Sequence, residues 1–460
     1  MSIASHLRIV ADGAGAVAGL SVDCIHGIAS LEQFAPEIDR LNALARRHNP
    51  FLSSCFLRCY ALEAEYHTPG EGERLYLIRE PGSPDGRLIG IAPMRRFMEK
   101  VGPSLGPVRL RGARLTVLAP LDTERPGILC APEDEARVAA ALVNHLCAAV
   151  QDWGLLEFAG QPPGGALHEA MHAVTSRRFR ARDINVEPYT EIPIAWKDLE
   201  AYFRSLAKKM RSNISRQARR LFAHGSVEIV LVEAAAAVTA WFEAYCELDG
   251  RSWKHGTQSS IQRHPRRVGF YREIVGGRAG LDPSFVGVLL DGVLIAGLLI
   301  GSNRTASPSG YGSWCLEMAY DDSRSDLGPG QLLLLLAMGE AIRRGDRFLN
   351  YMQNFAYYKH RWGAEPIDVV NVQLLRRASL HSVRASIGEL KNRLHPQAEP
   401  NADGASADPT SRGAAADPAG ATPDLTRARQ LTAQALSYTG RGVRKLNREE
   451  ATHYLPFDIE

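Results

Sequence analysis

No stretch of this sequence stays apolar for the roughly 20 residues that a membrane-spanning helix needs, and its first residues lack the basic-then-apolar pattern of a secretory signal. The expectation is a cytoplasmic protein without a membrane span. Cysteine is scarce: Cys24, Cys55, Cys59, Cys130, Cys147, Cys246 and Cys315 are odd in number, scattered and free of C-x-x-C spacing. That argues against a zinc ribbon or a disulfide framework and for reduced thiols. Cys55 and Cys59 share a helical face, which suits two small buried hydrophobes better than a metal or redox pair, and no metal site is expected. A net charge of +3 is too mild for a general nucleic-acid binder, so any basic contact surface must be local. There is no G-x-S-x-G elbow for a serine nucleophile. Against these absences, 45% of the 460 residues are hydrophobic, ample for the cores of two to four domains.

The most informative stretch is 313–362. Over 313–320, Trp314, Leu316, Met318 and Tyr320 alternate with Ser313, Cys315, Glu317 and Ala319, the period of two expected of a central strand with two distinct faces. After a polar turn come Gly328-Pro329-Gly330 and an almost wholly apolar helix over 331–344, stopped by Gly345. A second strand fits 346–352, followed by Gln353-Asn354 and Tyr358-Lys359-His360-Arg361-Trp362. Glycines at a helix start let the backbone approach a ligand, and the free N–H groups with the helix dipole favour a phosphate there. The same three residues also serve as a plain turn with proline near the first helical position.

Earlier in the chain, 31–47 has helical spacing ended by Pro50, and 51–66 reads as a second helix. Strands at 74–79 and 87–94 flank Pro84-Asp85-Gly86, a hairpin signal. Strand and loop follow over 102–120, then a helix over 133–151 and a strand over 155–158. The second half repeats this grammar, with Asp291-Gly292-Val293-Leu294-Ile295-Ala296 echoing Asp85-Gly86-Arg87-Leu88-Ile89-Gly90, which implies two copies of one fold. The copies differ at the helix that follows. The first opens with Pro132-Glu133-Asp134-Glu135, carboxylates that would repel a phosphate, whereas the second carries no acid before Glu340. If one copy binds a phosphorylated donor, it is the second.

Between the copies, 203–221 places Phe203, Leu206, Met210, Ile214 and Leu221 at helical spacing among seven basic residues without one acid. Such a helix is either a solvated face or a surface for the phosphates of CoA, a carrier protein's phosphopantetheine, a nucleotide sugar or tRNA; a contact with an anionic membrane is a further alternative. After Leu394 the composition turns to Ala, Asp, Gly, Pro, Ser and Thr, a flexible linker. Residues 425–446 fit one basic amphipathic helix with a tail behind it.

Several of these stretches together carry a family resemblance. Asn49-Pro50-Phe51-Leu52-Ser53, Ile91-Ala92-Pro93-Met94, Arg211-Ser212-Asn213-Ile214-Ser215-Arg216, Arg251-Ser252-Trp253, Gly328-Pro329-Gly330 and Tyr358-Lys359-x-x-Trp362-Gly363-Ala364 occur in an order that resembles tandem-domain acyltransferases of the GNAT superfamily. Within it, the chain is similar to the CelD-like or BioF-associated acetyltransferases, distant relatives of the FemAB transferases, over about 21–394. Two departures are visible: Asn350-Tyr351-Met352-Gln353-Asn354 stands where relatives carry Asp-Phe-x-x-Gly, and Ser325 where the glycine motif begins with Arg or Gln.

The resemblance implies an α/β protein of two GNAT-like domains, with mixed, mainly antiparallel sheets and flanking helices, packed as a pseudo-dimer and followed by a flexible C-terminal extension. The expected division is a disordered 1–20, domains at 21–195 and 196–395, a linker at 396–424 and a helix and tail at 425–460. The implied activity is transfer of an acyl group from acyl-CoA or an acyl-carrier protein to a primary amine of an amino sugar, amino acid or peptide side chain, by direct attack. Acyl-CoA or acyl-phosphopantetheine is then a cosubstrate, and nothing is bound permanently. An aminoacyl-tRNA-dependent transferase and a non-catalytic scaffold in polysaccharide biosynthesis are the alternatives.

Direct acyl transfer needs a held donor, a hydrogen bond to the oxyanion, a base and a proton for the thiolate. Leu327, Gly328, Gly330, Gln331, Arg211 and Asn213 are the expected donor-binding residues, and backbone near Met318 the oxyanion donor. Glu317 is the candidate base or, equally, the partner of an arginine; His255 and His360 are alternatives. Tyr320 or Tyr358 would protonate the thiolate unless each simply bonds to backbone. Lys359 would polarise a carbonyl or hold a phosphate, and Arg251, Trp253, Lys254, Asn350 and Gln353 would line the acceptor groove.

Overall fold

The computed structural model describes residues 19–63, 72–81, 86–101, 110–119, 123–256, 259–304, 311–353, 357–394, 425–438 and 442–459. The expectations for 1–18 and 396–424, for Pro84-Asp85 and for Asn354 lie outside these residues. The chain forms two units, 1–188 with 368–404 and 189–367 with 405–460.

The first unit holds a mixed sheet of β1 (Ser21–His26), β2 (Glu73–Arg79), β3 (Leu88–Lys100), β4 (Arg111–Val117), β5 (Leu129–Cys130), β6 (Leu155–Gln161), β7 (Phe179–Asn185) and β15 (Val370–Arg376). Its order is β1-β2-β3-β4-β6-β15-β7, with β5 beside β3. β2 and β3 pair antiparallel, as the hairpin signal predicts, and β4 and β6 are parallel. Its helices are α1 (Ala29–Gln33), α2 (Ala35–Leu44), α3 (Ser54–Glu63), α4 (Glu135–Ala148), α5 (Ala166–Ala173) and α12 (Leu380–Leu394). The helix expected over 31–47 is thus two, because the chain turns at Phe34. Val138, Leu142 and Leu146 on α4 pack on Tyr76, Met94 and Leu115 of the sheet, forming the core that the helical spacing implied.

The second unit is built on a sheet of order β14-β8-β13-β12-β11-β10-β9-β16. Its strands are β8 (Tyr189–Pro193), β9 (Val227–Val232), β10 (Asp282–Leu290), β11 (Val293–Ser302), β12 (Ser313–Tyr320), β13 (Phe348–Gln353), β14 (Glu365–Ile367) and β16 (Val443–Leu446). The helices are α6 (Leu199–Ser205), α7 (Lys208–His224), α8 (Ala235–Arg251), α9 (Pro265–Val275), α10 (Pro329–Arg344), α11 (Tyr357–Arg361), α13 (Thr426–Leu436) and α14 (Arg448–Tyr454). Asp291 and Gly292, at φ +50° and +72°, make the two-residue turn that joins β10 to β11, the backbone such hairpins favour. On one face of the sheet α6, α7 and α10 share a core with Val286, Leu298 and Tyr320. On the other, Trp241 of α8 stacks on Phe285 at 5.6 Å between ring centres. The leucine run of α10 is buried from Leu332 to Leu336, as its apolar composition requires. Gly345, at φ +75°, closes the helix as Asp346 N–H reaches Ala341 O at 2.9 Å.

Three expectations are corrected by this architecture. The units are not the contiguous halves 21–195 and 196–395: β8 pairs with β13 and β14, while β15 fills the place between β6 and β7. Backbone pairing, which local sequence patterns do not encode, made the exchange. The basic segment 203–221 is not one helix but α6 and α7, broken at Leu206 and Ala207, whose backbones are extended. Likewise 425–446 is α13 followed by strand β16, since Gly442 sits at φ +85°, where a right-handed helix cannot continue.

That C-terminal segment is integral to the second unit. β16 extends the sheet beside β9, Ala451, Leu455 and Ile459 enter the core, and Asn447 and Glu450 form a capping box for α14. Its anchor is Glu340, 2% exposed on α10, which accepts from Tyr454 O–H at 2.7 Å, from Arg343 at 3.1 Å and from Arg444. Burial pushes the Glu340 carboxyl up, but Arg343, Tyr454 and Arg444 outweigh it and hold the group below the ordinary carboxylate range. A carboxyl depressed in the folded state contributes stability that is full above its unfolded pKa and is lost as pH falls through the folded value. Glu340→Gln should therefore cost about 1–3 kcal/mol at neutral pH in urea unfolding, and the gap to the parent should close in acid. A gap independent of pH would show that the charge contributes nothing.

Candidate active site

Among the described residues of the second unit, one strand pair is parallel, and it is short. β12 and β13 meet only at Ser313 with Leu349 and at Trp314 with Asn350. Beyond them β13 turns away: Met352 takes φ +60°, uncommon for a residue with a side chain. Asn350 holds this turn, its Oδ1 accepting Met352 N–H at 2.7 Å and its Nδ2 donating to Glu191 at 3.3 Å. On the other side of β12 the register shifts opposite Leu299 and Ile300. Among the described residues, 316–319 has no strand partner on the β13 side, so the two strands part there and the β12 backbone is left without ladder bonds on that edge.

Past β12 and a short 3-10 turn over Asp322–Leu327, α10 begins without a side-chain cap and without an acid in its first turn. Gly328 stands at φ +65°, and a Cβ there would lie 2.4 Å from Gln217 Cδ on α7; one at Gly330 would lie 3.1 Å from Tyr320 Cδ1. Gly328 is thus favoured by its left-handed backbone, and a side chain at Gly330 would press on the Tyr320 ring. Around this helix start, Asn213 Nδ2 donates to Gln331 Oε1 at 3.3 Å, and Arg216 donates to Asn213 Oδ1 at 2.8 Å. Arg220 pairs with Asp326 at 3.0 Å, and Lys208 and Lys209 are exposed on the same helix. Pro329 has no N–H and Gln331 N–H donates to Gly328 O at 3.1 Å, so the Gly330 N–H, the helix dipole, Asn213 and Arg216 are the groups that meet here, of the kind that a phosphate site uses. Of the expected donor-binding residues, Asn213, Gly328, Gly330 and Gln331 come together, with Leu327 buried beside them. Arg211 is engaged elsewhere, donating to Arg204 O at 2.8 Å and Leu206 O at 2.6 Å, where it bridges the break between α6 and α7.

Glu317 lies on the opposite sheet face, 5% exposed. It is ion-paired to Lys254 and accepts from Arg267 of α9 at 2.7 Å. Lys254 Nζ is also 3.9 Å from Asp249, which is wholly buried and takes the Ser260 hydroxyl and the Gln262 N–H. Burial above all, with the Glu317 and Asp249 charges, pushes the Tyr245 hydroxyl well above its ordinary value, so it stays neutral. Arg251 pairs with Asp321, and Ser252 bridges to Asp321, which ties the end of α8 to the end of β12. The structure thereby joins Glu317 to the expected acceptor residue Lys254, with Trp253 next to it in sequence and 37% exposed. Of the two readings weighed for Glu317, the structure shows the pairing with an arginine.

Near β13, Lys359 is buried and donates to Tyr351 O at 2.8 Å. Burial raises the neighbouring Cys315 thiol to about 12, with Lys359 and Arg344 pulling the other way, so it packs as a thiol. The side chains of Tyr358 and Gln353 lie outside the described residues. Sequence reasoning missed Arg267, Asp249, Asp321 and Gln217. Only Asp249, two residues before Arg251 on a matching motif, carried a local signal; Arg267 reaches Glu317 across 50 positions of chain.

Comparison with known proteins agrees in part with this picture. Residues 208–360, from α7 into α11, match the family model of an acetyltransferase (GNAT) domain. A search of curated proteins finds no match. Among solved structures, FemX has a TM-score of 0.48 at 12% identity, covering 79% of this chain and 98% of its own. The C-terminal domain of a putative lysylphosphatidylglycerol synthetase from Agrobacterium fabrum has 0.43 at 11%, covering 79% and 96%. A tandem GNAT protein from the clavulanic acid biosynthesis pathway has 0.39 at 14%, covering 78% and 98%. These likenesses are too distant to bear on the site. No helix among the described residues is long and apolar enough to cross a membrane.

The Glu317 pairing makes a stability prediction. Glu317→Ala removes the carboxylate shared by buried Lys254 and half-buried Arg267 and should cost about 3–5 kcal/mol, whereas Glu317→Gln, which keeps one of the two acceptor oxygens, should cost less. Chemical denaturation measures both; equal losses would mean that the hydrogen bonds contribute nothing to the cluster.

Proposed function

We propose that the second unit transfers an acyl group from a CoA or carrier-protein thioester to a primary amine, by direct attack of the amine on the thioester carbonyl. The observation that carries this reading is the gap between β12 and β13, which opens beside the uncapped, glycine-lined start of α10 within the stretch that matches an acetyltransferase domain. The donor's phosphates rest on the α10 N–H groups with Asn213, Gln331 and the α7 cations. Its pantetheine arm lies along the unpaired β12 edge, where a backbone N–H near Met318 hydrogen-bonds the developing oxyanion.

The acceptor approaches from the face that holds Lys254 and Trp253. Glu317 takes the ammonium proton, and Lys254 and Arg267 keep the carboxylate placed until it does so. The departing thiolate is protonated by Tyr320, buried next to Gly330, or by Tyr358. Lys359 and Asn350 fix the diverging strand β13. Kinship to the CelD-like or BioF-associated acetyltransferases and a cytoplasmic setting belong to the same reading. The acceptor class it favours is an amino sugar, an amino acid or a peptide side chain.

The test is a thermal-shift series of the full chain with CoA and acyl-CoAs of increasing length, beside Gly330→Asp. Stabilisation of about 2.7 kcal/mol is expected at a hundredfold excess over Kd, with loss in the variant, whose unliganded melting serves as the folding control. Absence of any shift with CoA thioesters and acyl-carrier protein alike would overturn the thioester reading; aminoacyl-tRNA binding with a steep salt dependence would then point to the transferase alternative, served by the basic α7. Once an acceptor is in hand, Glu317→Gln should lower kcat about 100-fold or more while leaving the donor KM near the parent value. An unchanged kcat would remove Glu317 as the base.

A further inference from the structure

The first unit carries a second group of chemically capable side chains, remote in sequence from everything described above. His168 and His172 occupy successive turns of α5, and Asp183 stands on β7. His168 Nε2 lies 3.1 Å from Asp183 Oδ2 and His172 Nε2 2.9 Å from Oδ1, with the two rings 4.6 Å apart. One ligand atom from each residue falls within 4.8 Å of the other two. We propose that His168, His172 and Asp183 bind one divalent transition-metal ion of the zinc or cobalt class and so clip α5 to β7.

The chemistry of the donor set suits that class. Two imidazole nitrogens and a carboxylate oxygen are borderline ligands, preferred by zinc, cobalt and nickel over magnesium or calcium, which demand oxygen shells. Histidines at i and i+4 project from one helix face, as pairs that share an ion must. The side chains are 18%, 41% and 35% exposed, so an ion reaches them from solvent and water completes a tetrahedral shell. The sequence concealed the site because its third ligand comes from a strand beyond the helix, with no cysteine to mark it.

One feature of the metal-free arrangement has to change. Gly164 N–H donates to His168 Nδ1 at 3.3 Å, so in the neutral ring Nε2 carries the proton and gives it to Asp183. Coordination through Nε2 moves that proton to Nδ1, and the Gly164 N–H must turn away. Gly164 is free to do so: it sits at φ +72° with no atom within 4 Å of where a Cβ would be. His172 undergoes the same exchange of its Nε2 proton, and each imidazole keeps one proton throughout.

The experiment uses the full chain stripped with chelator and then titrated with Zn²⁺ by calorimetry and with Co²⁺ by absorption. One ion per chain is expected, with a cobalt spectrum of nitrogen and oxygen ligation that lacks a thiolate charge-transfer band, which excludes the cysteines. His172→Gln keeps a hydrogen-bond donor for Asp183 but loses a ligand; it should melt like the parent in chelator, lose the metal-induced rise in melting temperature and bind at least about 10-fold more weakly. His168→Gln should do the same. Binding that is unchanged in both variants, a thiolate band, or no stoichiometric binding would overturn the proposal and leave the trio as a hydrogen-bonded clasp.

Discussion

The second unit depends on a parallel strand pair that lasts for two residues. A sheet normally extends such pairing until a strand ends, because each unpaired backbone group has to find another partner. Here Asn350 terminates the pairing from within, by spending its side-chain oxygen on Met352 N–H and holding that residue at positive φ. The β12 edge is thereby left without ladder partners, and α10 follows the same strand after eight residues, past a short 3-10 turn over Asp322–Leu327, with no side-chain cap. Two sets of backbone groups thus lie along one stretch of chain, and the side chains of α7 add charge beside them.

Buried carboxylates are used twice in this unit, with different surroundings. Glu340 faces three donors, two of them arginines whose side chains are 42% exposed; removing the acid would leave those cations in water, so the pairing acts as an anchor for the C-terminal segment. Glu317 faces Lys254 and Arg267, 10% and 20% exposed, and behind Lys254 lies a second buried acid, Asp249. Charges so withdrawn from water depend on one another, which makes the cluster costly to break and sensitive to any proton or amine that enters. The two clusters thus differ in how far their cations reach solvent more than in composition.

The sequence was most legible where structure is local. The alternation over 313–320, the leucine run behind Gly-Pro-Gly and the Asp-Gly hairpin each named their element, because side-chain period and glycine backbone freedom are properties of neighbouring residues. That Gly328 and Gly330 open a helix was likewise readable, since glycine and the absence of acid mark a helix start, and the structure brings Asn213 and Gln331 to the same place. Arg211 shows the limit: a basic residue in a basic segment looked like a phosphate ligand, and its guanidinium is used to close a break between two helices.

By itself, the sequence determined the α/β class and the local elements around 313–345 and the Asp-Gly hairpin, through periodicity and the placement of glycine. Only the tertiary structure decided that β8 and β15 would pair outside their own halves, that the C-terminal segment would add a strand beside β9, and that Glu317 would meet Lys254 and Arg267. The physical reason is common to the three: strand pairing and buried ion pairs are chosen among residues far apart in the chain, by which arrangement satisfies backbone groups and charges together, and no local pattern records that choice.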